Sequence, residues 1–259
     1  MHDMTSSGIT RLAMAAVIAA GPAHGAGIAA SDPAAALAAI DQVRVGSGAG
    51  QLRIRLTSAT WGAEDMRVCI RRDAAEIDVL SGRYASERVL MQGQNVWVRM
   101  PHSSRTIAIT PIERILGQAS YGDLARSHWV GSYTPSWNPV AAERKRPQGR
   151  PQRDRGAVDG DAMVLDLRAT TTHRAYQRIA VTVDRKTGWP IAARFYLGSG
   201  KLFKIARYGR PTALGGRLLI VQTWFVDPAD PGMATHLEVR RVEPAQCAAD
   251  RFTVDGFAE

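Results

Sequence analysis

The chain has 259 residues, of which 45% are apolar and 22% charged, and its formal net charge is +9. This balance is typical of a globular protein with one large or two small domains rather than of a disordered chain. Only two cysteines are present, which excludes a disulfide-rich scaffold and a zinc site built from four thiolates. No stretch reaches the roughly 18 apolar residues of a transmembrane helix, so a multispan membrane protein is excluded as well.

The N-terminus has the pattern of a secretory signal peptide. Arg11 precedes a short apolar run over residues 12–20, which has the length of a signal-peptide core and is too short to cross a bilayer. The small residues that follow predict cleavage before Ala26, with a site near Ala29 as the alternative. We therefore predict a signal peptide over residues 1–25; a disordered alanine-rich tail is the competing interpretation.

A single helix is expected at the start of the mature chain. Asp32 followed by Pro33 is typical of a helix start, because a capping side chain precedes proline at the first helical position. Apolar residues then recur at three-residue spacing from Leu37 to about Val45, which predicts one buried stripe. The glycine-rich stretch 46–50 ends the helix.

From Leu52 onward the apolar residues alternate with polar and basic ones, as in half-buried strands. Roughly ten antiparallel strands without intervening helical periods predict an all-β sheet, barrel or sandwich. Residues 112–126 differ, being loop-like to helical. The predicted strands cover residues 52–57, 66–70, 75–79, 86–91, 95–100, 105–109, 163–168, 178–183, 191–196, 201–208, 217–226 and 235–242.

A basic segment interrupts the strand pattern. Residues 143–155 contain six basic and two acidic side chains together with prolines and a glycine, which predicts an exposed loop. This loop is either a solvated insertion or a contact for anionic headgroups, where each base adds about 1 kcal/mol. Because exported proteins rarely meet nucleic acid, we predict no nucleic-acid partner.

Motifs of catalysis are absent from the sequence. The run 198–201 (Gly-Ser-Gly-Lys) is followed by Leu202, whereas a phosphate-binding loop needs Ser or Thr there and a helix. The six histidines include no pair at i, i+4, and no G-x-S-x-G elbow occurs. We therefore predict no enzyme, no metal site and no cofactor.

The two cysteines leave one question open. In an oxidising compartment Cys69 and Cys247 can form a disulfide. The sequence alone does not show whether their Cα atoms come within bonding reach, so both states remain open at this stage.

Several motifs together resemble the outer-membrane lipoprotein-sorting protein family, the LolA-like proteins. Residues 88–101 resemble its "L-x-x-G-x-x-x-W-x-x-x-P" strand pair, and residues 117–124 are similar to its "S-x-x-D-L" segment. Residues 176–204 resemble its "Y-x-x-I-x-x-x-V-D-x-x-x-x-x-P-x-x-x-x-F-Y-x-x-x-G-K-L-x-K" stretch. The match runs from about Met66 to Phe257, so we expect one domain over residues 26–259 with the Pro/Arg-rich loop 141–155 as an insertion.

The resemblance implies a mainly β fold in which a strongly curved antiparallel sheet forms an incomplete, half-open β-barrel with an N-terminal helix and a short helical lid. It also implies a periplasmic, monomeric carrier of a lipid or lipidated protein, with an inner-membrane exporter as a further partner. The alternative is an accessory protein that docks on such an exporter and holds no lipid.

A lipid carrier has a clear physical task. An acyl chain of about sixteen carbons loses on the order of 12 kcal/mol in water unless it is shielded. We therefore expect the sheet to enclose an apolar space large enough for a hydrocarbon tail, kept dry by helices that the cargo displaces.

Candidate cavity residues follow from the alternation and from the family pattern. In strand 95–100, Trp97 faces away from Val96 and Val98, and because the family pattern fixes Trp97 we place it in the interior together with Leu90. Arg99 and Arg105 are candidates for a headgroup-binding rim. The cavity candidates are Leu90, Trp97, Ile107, Ile109, Ile115, Leu116, Tyr121, Leu124, Phe195, Phe203 and Trp224.

Overall fold

The computed structural model describes residues 32–46, 50–71, 74–103, 105–125, 128–138, 162–230, 232–243 and 247–258. The predicted signal peptide over residues 1–25 and the basic loop 141–155 lie outside these ranges. Within them, no helix combines the length and hydropathy needed to cross a membrane.

The predicted N-terminal helix is confirmed as α1 (Pro33–Val45). The Asp32 carboxylate accepts a hydrogen bond from the backbone N–H of Ala34 at 2.8 Å, which satisfies one of the free amides of the first turn. The apolar stripe of α1, which includes Leu37 and Ile40, is buried in the main core. The helix therefore packs against the sheet with its sequence-encoded apolar face.

Within the described ranges, 13 strands form one antiparallel sheet. Its N-terminal strands are β1 (Gly50–Ser58), β2 (Gly62–Arg71), β3 (Ala74–Val79), β4 (Arg88–Gln92), β5 (Asn95–Arg99) and β6 (Thr106–Ile109). Its later strands are β9 (Tyr133–Trp137), β10 (Ala162–Ala169), β11 (Arg178–Asp184), β12 (Pro190–Tyr196), β13 (Leu202–Tyr208), β16 (Gln222–Val226) and β17 (Ala234–Glu243). The strands follow one another across the sheet in the order β6-β5-β4-β3-β2-β1-β17-β16-β13-β12-β11-β10-β9.

The sheet is open, with β6 and β9 at its two edges, so the expected incomplete β-barrel is confirmed. We call the face that packs against α1 the inner face; in β1 it carries Leu52, Ile54 and Leu56, all at most 3% exposed. The opposite, outer face of β1 carries Arg53 and Arg55. The alternation seen in the sequence thus sorts side chains between core and outer face.

Two strand predictions need correction. The edge strand β9 was not predicted, because its five residues include Pro135 and alternate only weakly. The predicted strand 217–226 is divided: β15 (Arg217–Leu219) forms a separate hairpin with β14 (Thr212–Leu214), and β16 joins the main sheet. The break occurs where the Ile220 amide donates to the Val43 carbonyl of α1 at 2.7 Å.

Residues 110–125 form what we call the lid segment, which covers part of the inner face. It contains β7 (Arg114–Leu116), β8 (Ala119–Ser120) and α2 (Tyr121–Leu124). The two short strands pair only with each other, so the lid segment is not part of the 13-stranded sheet. At Gly117, which has φ of 52°, a Cβ would collide with the Thr235 hydroxyl, so glycine permits the close approach to β17.

Residues 247–258, here called the C-terminal segment, cover the outer face of β3, β4 and β5. The segment contains a 3-10 helix (Asp250–Phe252) and α3 (Val254–Ala258). Cys247 forms a disulfide with Cys69 of β2, with Cα atoms 6.1 Å apart, which answers the question the sequence left open. The Arg251 guanidinium pairs with Glu76 at 2.6 Å and with Asp78 at 3.1 Å. The outer face of these strands is therefore closed by a covalently tethered cover.

Candidate functional site

The inner face of β4 and β5 is apolar and buried. Val89 and Met91 of β4 lie beside Val98 and Val96 of β5, and all four belong to the main core. The register therefore assigns the opposite side chains of both strands to the outer face.

Leu90, Trp97 and Arg99 lie on the outer face, contrary to our expectation of an interior or rim position. Leu90 is directly opposite Trp97 in the register and fully buried, but the cover above it is the C-terminal segment. The Arg99 guanidinium donates to the Phe257 carbonyl oxygen of that segment at 3.4 Å. Alternation separated the two sets of residues correctly, but the set on the inner face is the one that contains Val96 and Val98.

Trp224 also lies on the outer face. Its ring stacks on the His236 ring of the neighbouring strand, with centroids 4.9 Å apart and planes 11° apart. The residues on either side of it, Thr223 and Phe225, face inward and line the cavity described below. Trp224 is therefore removed from the cavity candidates.

Four cavity candidates belong to the lid segment, and the side chains of all four are buried in the main core. The Tyr121 hydroxyl donates to the Glu87 carboxylate at 2.7 Å. Burial raises the pKa of Glu87 and that of Tyr121, since neither charged form is hydrated there. These candidates are Ile115, Leu116, Tyr121 and Leu124.

The candidates on β6 lie at the edge of the sheet. Ile109 is partly buried against the core, whereas Ile107 is 51% exposed. Arg105, just before the strand, is exposed. Ile107 and Ile109 pair with the inner-face residues Val98 and Val96, so both lie on the inner face at the open edge of the sheet. Arg105 lies at the same edge, outside the strand.

Phe195 lines the cavity and belongs to an aromatic cluster. Its ring centroid is 4.9 Å from that of Tyr176 and 6.1 Å from that of Trp129. Phe203 is half-buried at the margin of the same cluster, 6.0 Å from Tyr176. Of the aromatic candidates on the sheet, Phe195 is the one that contributes directly to the cavity wall.

Sequence reasoning missed a buried ion pair that connects the lid segment to the sheet. The Lys204 ammonium, on the inner face of β13, pairs with Asp123 of α2 and donates to the Ser120 hydroxyl at 3.2 Å. The Lys204 side chain is 2% exposed. Burial acts to lower its pKa, but Asp123 and Tyr176 outweigh that effect and raise it. The local signal, Gly-Lys-Leu-x-Lys, is that of a surface hairpin, and Asp123 is 81 residues away.

A second buried carboxylate joins α1 to the wall of the cavity. Asp41 accepts hydrogen bonds from the amides of Trp129 and Val130, at 2.6 and 2.8 Å, and pairs with Arg44 at 2.6 Å. Burial acts to raise its pKa, but His128, Arg44 and the two amides together hold it below the usual value. The Arg44 guanidinium lies 3.4 Å above the Trp129 ring, so a cation and an aromatic face meet at this wall.

The cavity between α1, the lid segment and the sheet has a volume of about 90 Å³. Its wall combines aromatic and aliphatic side chains with basic ones. The lining includes the charged or basic residues Arg44, Asp123, His128 and Arg174 and the aromatic residues Phe195 and Phe225. Pockets that enclose whole ligands run from roughly 300 to 1,000 Å³. This cavity is therefore smaller than a hydrocarbon tail needs, because α1 and the lid segment occupy this part of the inner face.

Comparison with solved structures identifies the fold. A LolA superfamily protein from Nitrosomonas europaea has a TM-score of 0.68 at 22% identity, over 86% of this chain and 98% of its own. An outer-membrane lipoprotein-sorting protein domain from Vibrio parahaemolyticus has a TM-score of 0.65 at 14% identity, over 88% and 98%. A DUF1329 family protein from Desulfovibrio piger has a TM-score of 0.66 at 15% identity, over 87% and 99%. The fold is that of the LolA-like proteins, which confirms the resemblance found in the motifs.

The sequence itself matches one family model. That model, whose description is "Uncharacterized protein", covers residues 82–257, and the chain belongs to this family. No curated protein matches the sequence.

Proposed function

We propose that the protein is a periplasmic carrier that binds the acyl chain of a lipid or lipoprotein on its inner face, after that chain displaces the lid segment. The proposal rests on one observation. The lid segment covers apolar residues of the sheet but shares no strand pairing with it, so it can leave without breaking the ladder of the 13 strands.

The lid segment is held by apolar side chains that pack in the main core and by a small number of polar contacts. They include the Lys204–Asp123 pair, the Tyr121–Glu87 hydrogen bond and the bond from the Gln118 amide to the Thr235 hydroxyl. An acyl chain that replaces the lid's apolar side chains gains about 0.8 kcal/mol per buried CH₂. A long tail can therefore outweigh the loss of these contacts.

Cargo, partner and chemistry follow from this proposal. The cargo is a lipid or a lipidated protein, the further partner is an inner-membrane exporter, and the protein acts as a monomer. Carriage of this kind makes and breaks no covalent bond, and the solved structures of the same fold carry lipoprotein-sorting names, which supports a binding role rather than an enzymatic one.

The experiment combines native cargo with a defined probe. Protein purified from the periplasm is extracted with organic solvent and analysed by mass spectrometry, and the delipidated protein is titrated with a dansyl-labelled C11 fatty acid. We expect stoichiometric lipid in the extract and saturable probe binding, with faster hydrogen exchange of residues 119–125 in the bound state.

A pair of neighbouring residues supplies the matched control. Phe225→Gln introduces a polar group into the inner wall, whereas Trp224→Gln makes the same change on the outer face. We expect the first variant to weaken probe binding by about tenfold and the second to leave it unchanged. If Phe225→Gln does not fold, Met91→Gln tests the same wall.

The alternative is an accessory protein that docks on an inner-membrane exporter and holds no lipid. The small cavity favours it, because the described conformation offers about 90 Å³ rather than the space for a tail. Empty extracts together with no saturable probe binding would support this alternative and refute the carrier.

A further inference from the structure

Three basic side chains converge on the cavity from different parts of the chain. Arg44 comes from α1, His128 from the segment that follows the lid, and Arg174 from the turn between β10 and β11. The Arg174 turn is held in place where the next amide, that of Ala175, donates to the Gln94 side chain at 3.2 Å. The hydrogen bond therefore fixes the turn that carries Arg174, whose side chain is half-buried.

The charges at this wall do not balance. Asp41 is paired with Arg44, and Asp123 is paired with Lys204. Among the described residues, no carboxylate lies within ion-pair distance of the Arg174 guanidinium. The three cations Arg44, Lys204 and Arg174 therefore stand against two carboxylates, those of Asp41 and Asp123. His128, which lies 3.7 Å from Asp41, adds further positive charge when protonated. A positive excess next to a low-dielectric aromatic wall attracts an anion more strongly than the same charges do in water.

The cavity wall also contains apolar side chains, among them Phe195, Phe225 and Leu237. The Lys204 ammonium lies over the rings of Phe195 and Phe225. A ligand with one charged end and one apolar end would therefore find both halves of its surface matched within one cavity.

We propose that this cavity binds the anionic group, a carboxylate or a phosphate, of an amphiphilic ligand, with Arg174 as the main contact. The inference rests on the proposed carrier function and names the charge of its cargo. A cavity of about 90 Å³ has room for a group of a few heavy atoms, though not for a tail. The planar guanidinium of Arg174 suits bidentate binding of carboxylate or phosphate oxygens. The tail of the same ligand extends onto the inner face that the lid segment vacates.

The test compares ligands of equal chain length by isothermal titration calorimetry with the full chain. The ligands are decanoate, decyl phosphate, decanol and decyltrimethylammonium, together with inorganic phosphate and acetate as groups without a tail. We expect decanoate and decyl phosphate to bind at least about tenfold more tightly than decanol, and the cation to bind most weakly.

Variants of Arg174 test whether this residue is the main contact of the anionic group. Arg174→Gln removes the charge and should abolish the tenfold preference, whereas Arg174→Lys should retain part of it. The matched control is Arg194→Gln, an exposed arginine on the outer face of β12, which should leave the preference unchanged.

Each outcome has a distinct meaning. Equal affinity for decanoate and decanol, or equal effects of Arg174→Gln and Arg194→Gln, overturns the anionic site but leaves the carrier function standing. Arg174-dependent binding of phosphate without binding of any decyl compound supports the anionic site and refutes the carrier. If no ligand binds, both proposals are refuted.

Discussion

Two covers lie on opposite faces of the same sheet, and they are fastened by different chemistry. The C-terminal segment on the outer face is tied by the Cys69–Cys247 disulfide and by Arg251, which pairs with Glu76 and Asp78. The lid segment on the inner face is held by non-covalent contacts, among them the buried Lys204–Asp123 pair. One cover is therefore covalently attached to the sheet, while the other has no covalent bond to it.

The comparison shows that burial alone does not mark a binding face. Leu90 beneath the C-terminal segment and Leu124 of the lid segment are both 0% exposed. They differ in the attachment of the segment around them: the C-terminal segment is bonded to β2 by a disulfide, whereas the lid segment shares no strand pairing with the sheet. A movable cover over an apolar face indicates exchange with a ligand, whereas a covalent cover indicates a structural core.

The largest expected effect comes from removing the disulfide that attaches the C-terminal segment to β2. The double variant Cys69→Ser, Cys247→Ser opens a loop with a sequence separation of 178 and should lower the free energy of unfolding by about 4 kcal/mol, because the unfolded chain regains entropy. Urea unfolding measures the loss, and hydrogen exchange should accelerate in residues 247–258 but not in the lid segment. Faster exchange of both covers to the same extent would contradict their independence.

The next effect tests the polar fastening of the lid. Lys204→Met leaves the Asp123 carboxylate buried without its partner, which should cost about 3 kcal/mol of stability and accelerate exchange in residues 119–125. The double variant Lys204→Met, Asp123→Leu should recover most of the loss, since neither charge is then buried. No recovery in the double variant would show that the cost arises elsewhere in the packing.

A smaller effect concerns the Tyr121 hydroxyl of the lid segment. Tyr121→Phe removes the donor to the buried Glu87 carboxylate and should lower the free energy of unfolding by about 1 kcal/mol. Tyr196→Phe, on the outer face of β12, serves as the control and should change stability by less than about 0.5 kcal/mol. Equal losses in the two variants would exclude a specific role of this hydrogen bond.

The smallest effect is a pH dependence on the outer face. Burial against Trp224 lowers the pKa of His236, although Glu238 partly opposes the shift. The folded protein therefore binds fewer protons here than the unfolded chain, and the stability contributed by the neutral ring is lost as the pH falls from about 6.5 toward the lowered pKa.

Urea unfolding at pH 7.5 and 5.5 measures this contribution. His236→Phe keeps an aromatic ring beside Trp224 but does not titrate, so its stability should fall less on acidification, by roughly 0.5 kcal/mol. An equal fall in the two proteins would assign the pH dependence to other groups.

The fold was largely predictable because its signals are local. Asp32 and Pro33 predict the start of α1, and the period-two pattern predicts most strands of the sheet. The pattern also separates Trp97 from Val96 and Val98. It does not tell which set faces the cavity, because that depends on where α1 and the C-terminal segment pack, and both are distant in sequence.

The candidate site was predictable only in part for the same reason. Phe195 and the lid segment were found through apolar character, but nothing near Lys204 in the sequence predicts its burial, because its partner Asp123 lies far away along the chain. Arg174 carries no local signal at all, since an arginine in a polar turn is ordinary. Convergent charges become visible only when the strands are assembled.

The edge strand β9 carries a further consequence. The Asn138 amide donates to the Val164 carbonyl, and the Thr170 amide donates to the Ser132 carbonyl. The backbone N–H and C=O groups of the even-numbered residues of β9 therefore point toward β10. Pro135 therefore sits at a position whose backbone points away from the sheet, where it has no N–H to offer. An incoming chain that tried to lengthen the sheet here would lack a donor midway along the strand, so this margin resists stacking of one molecule onto the next.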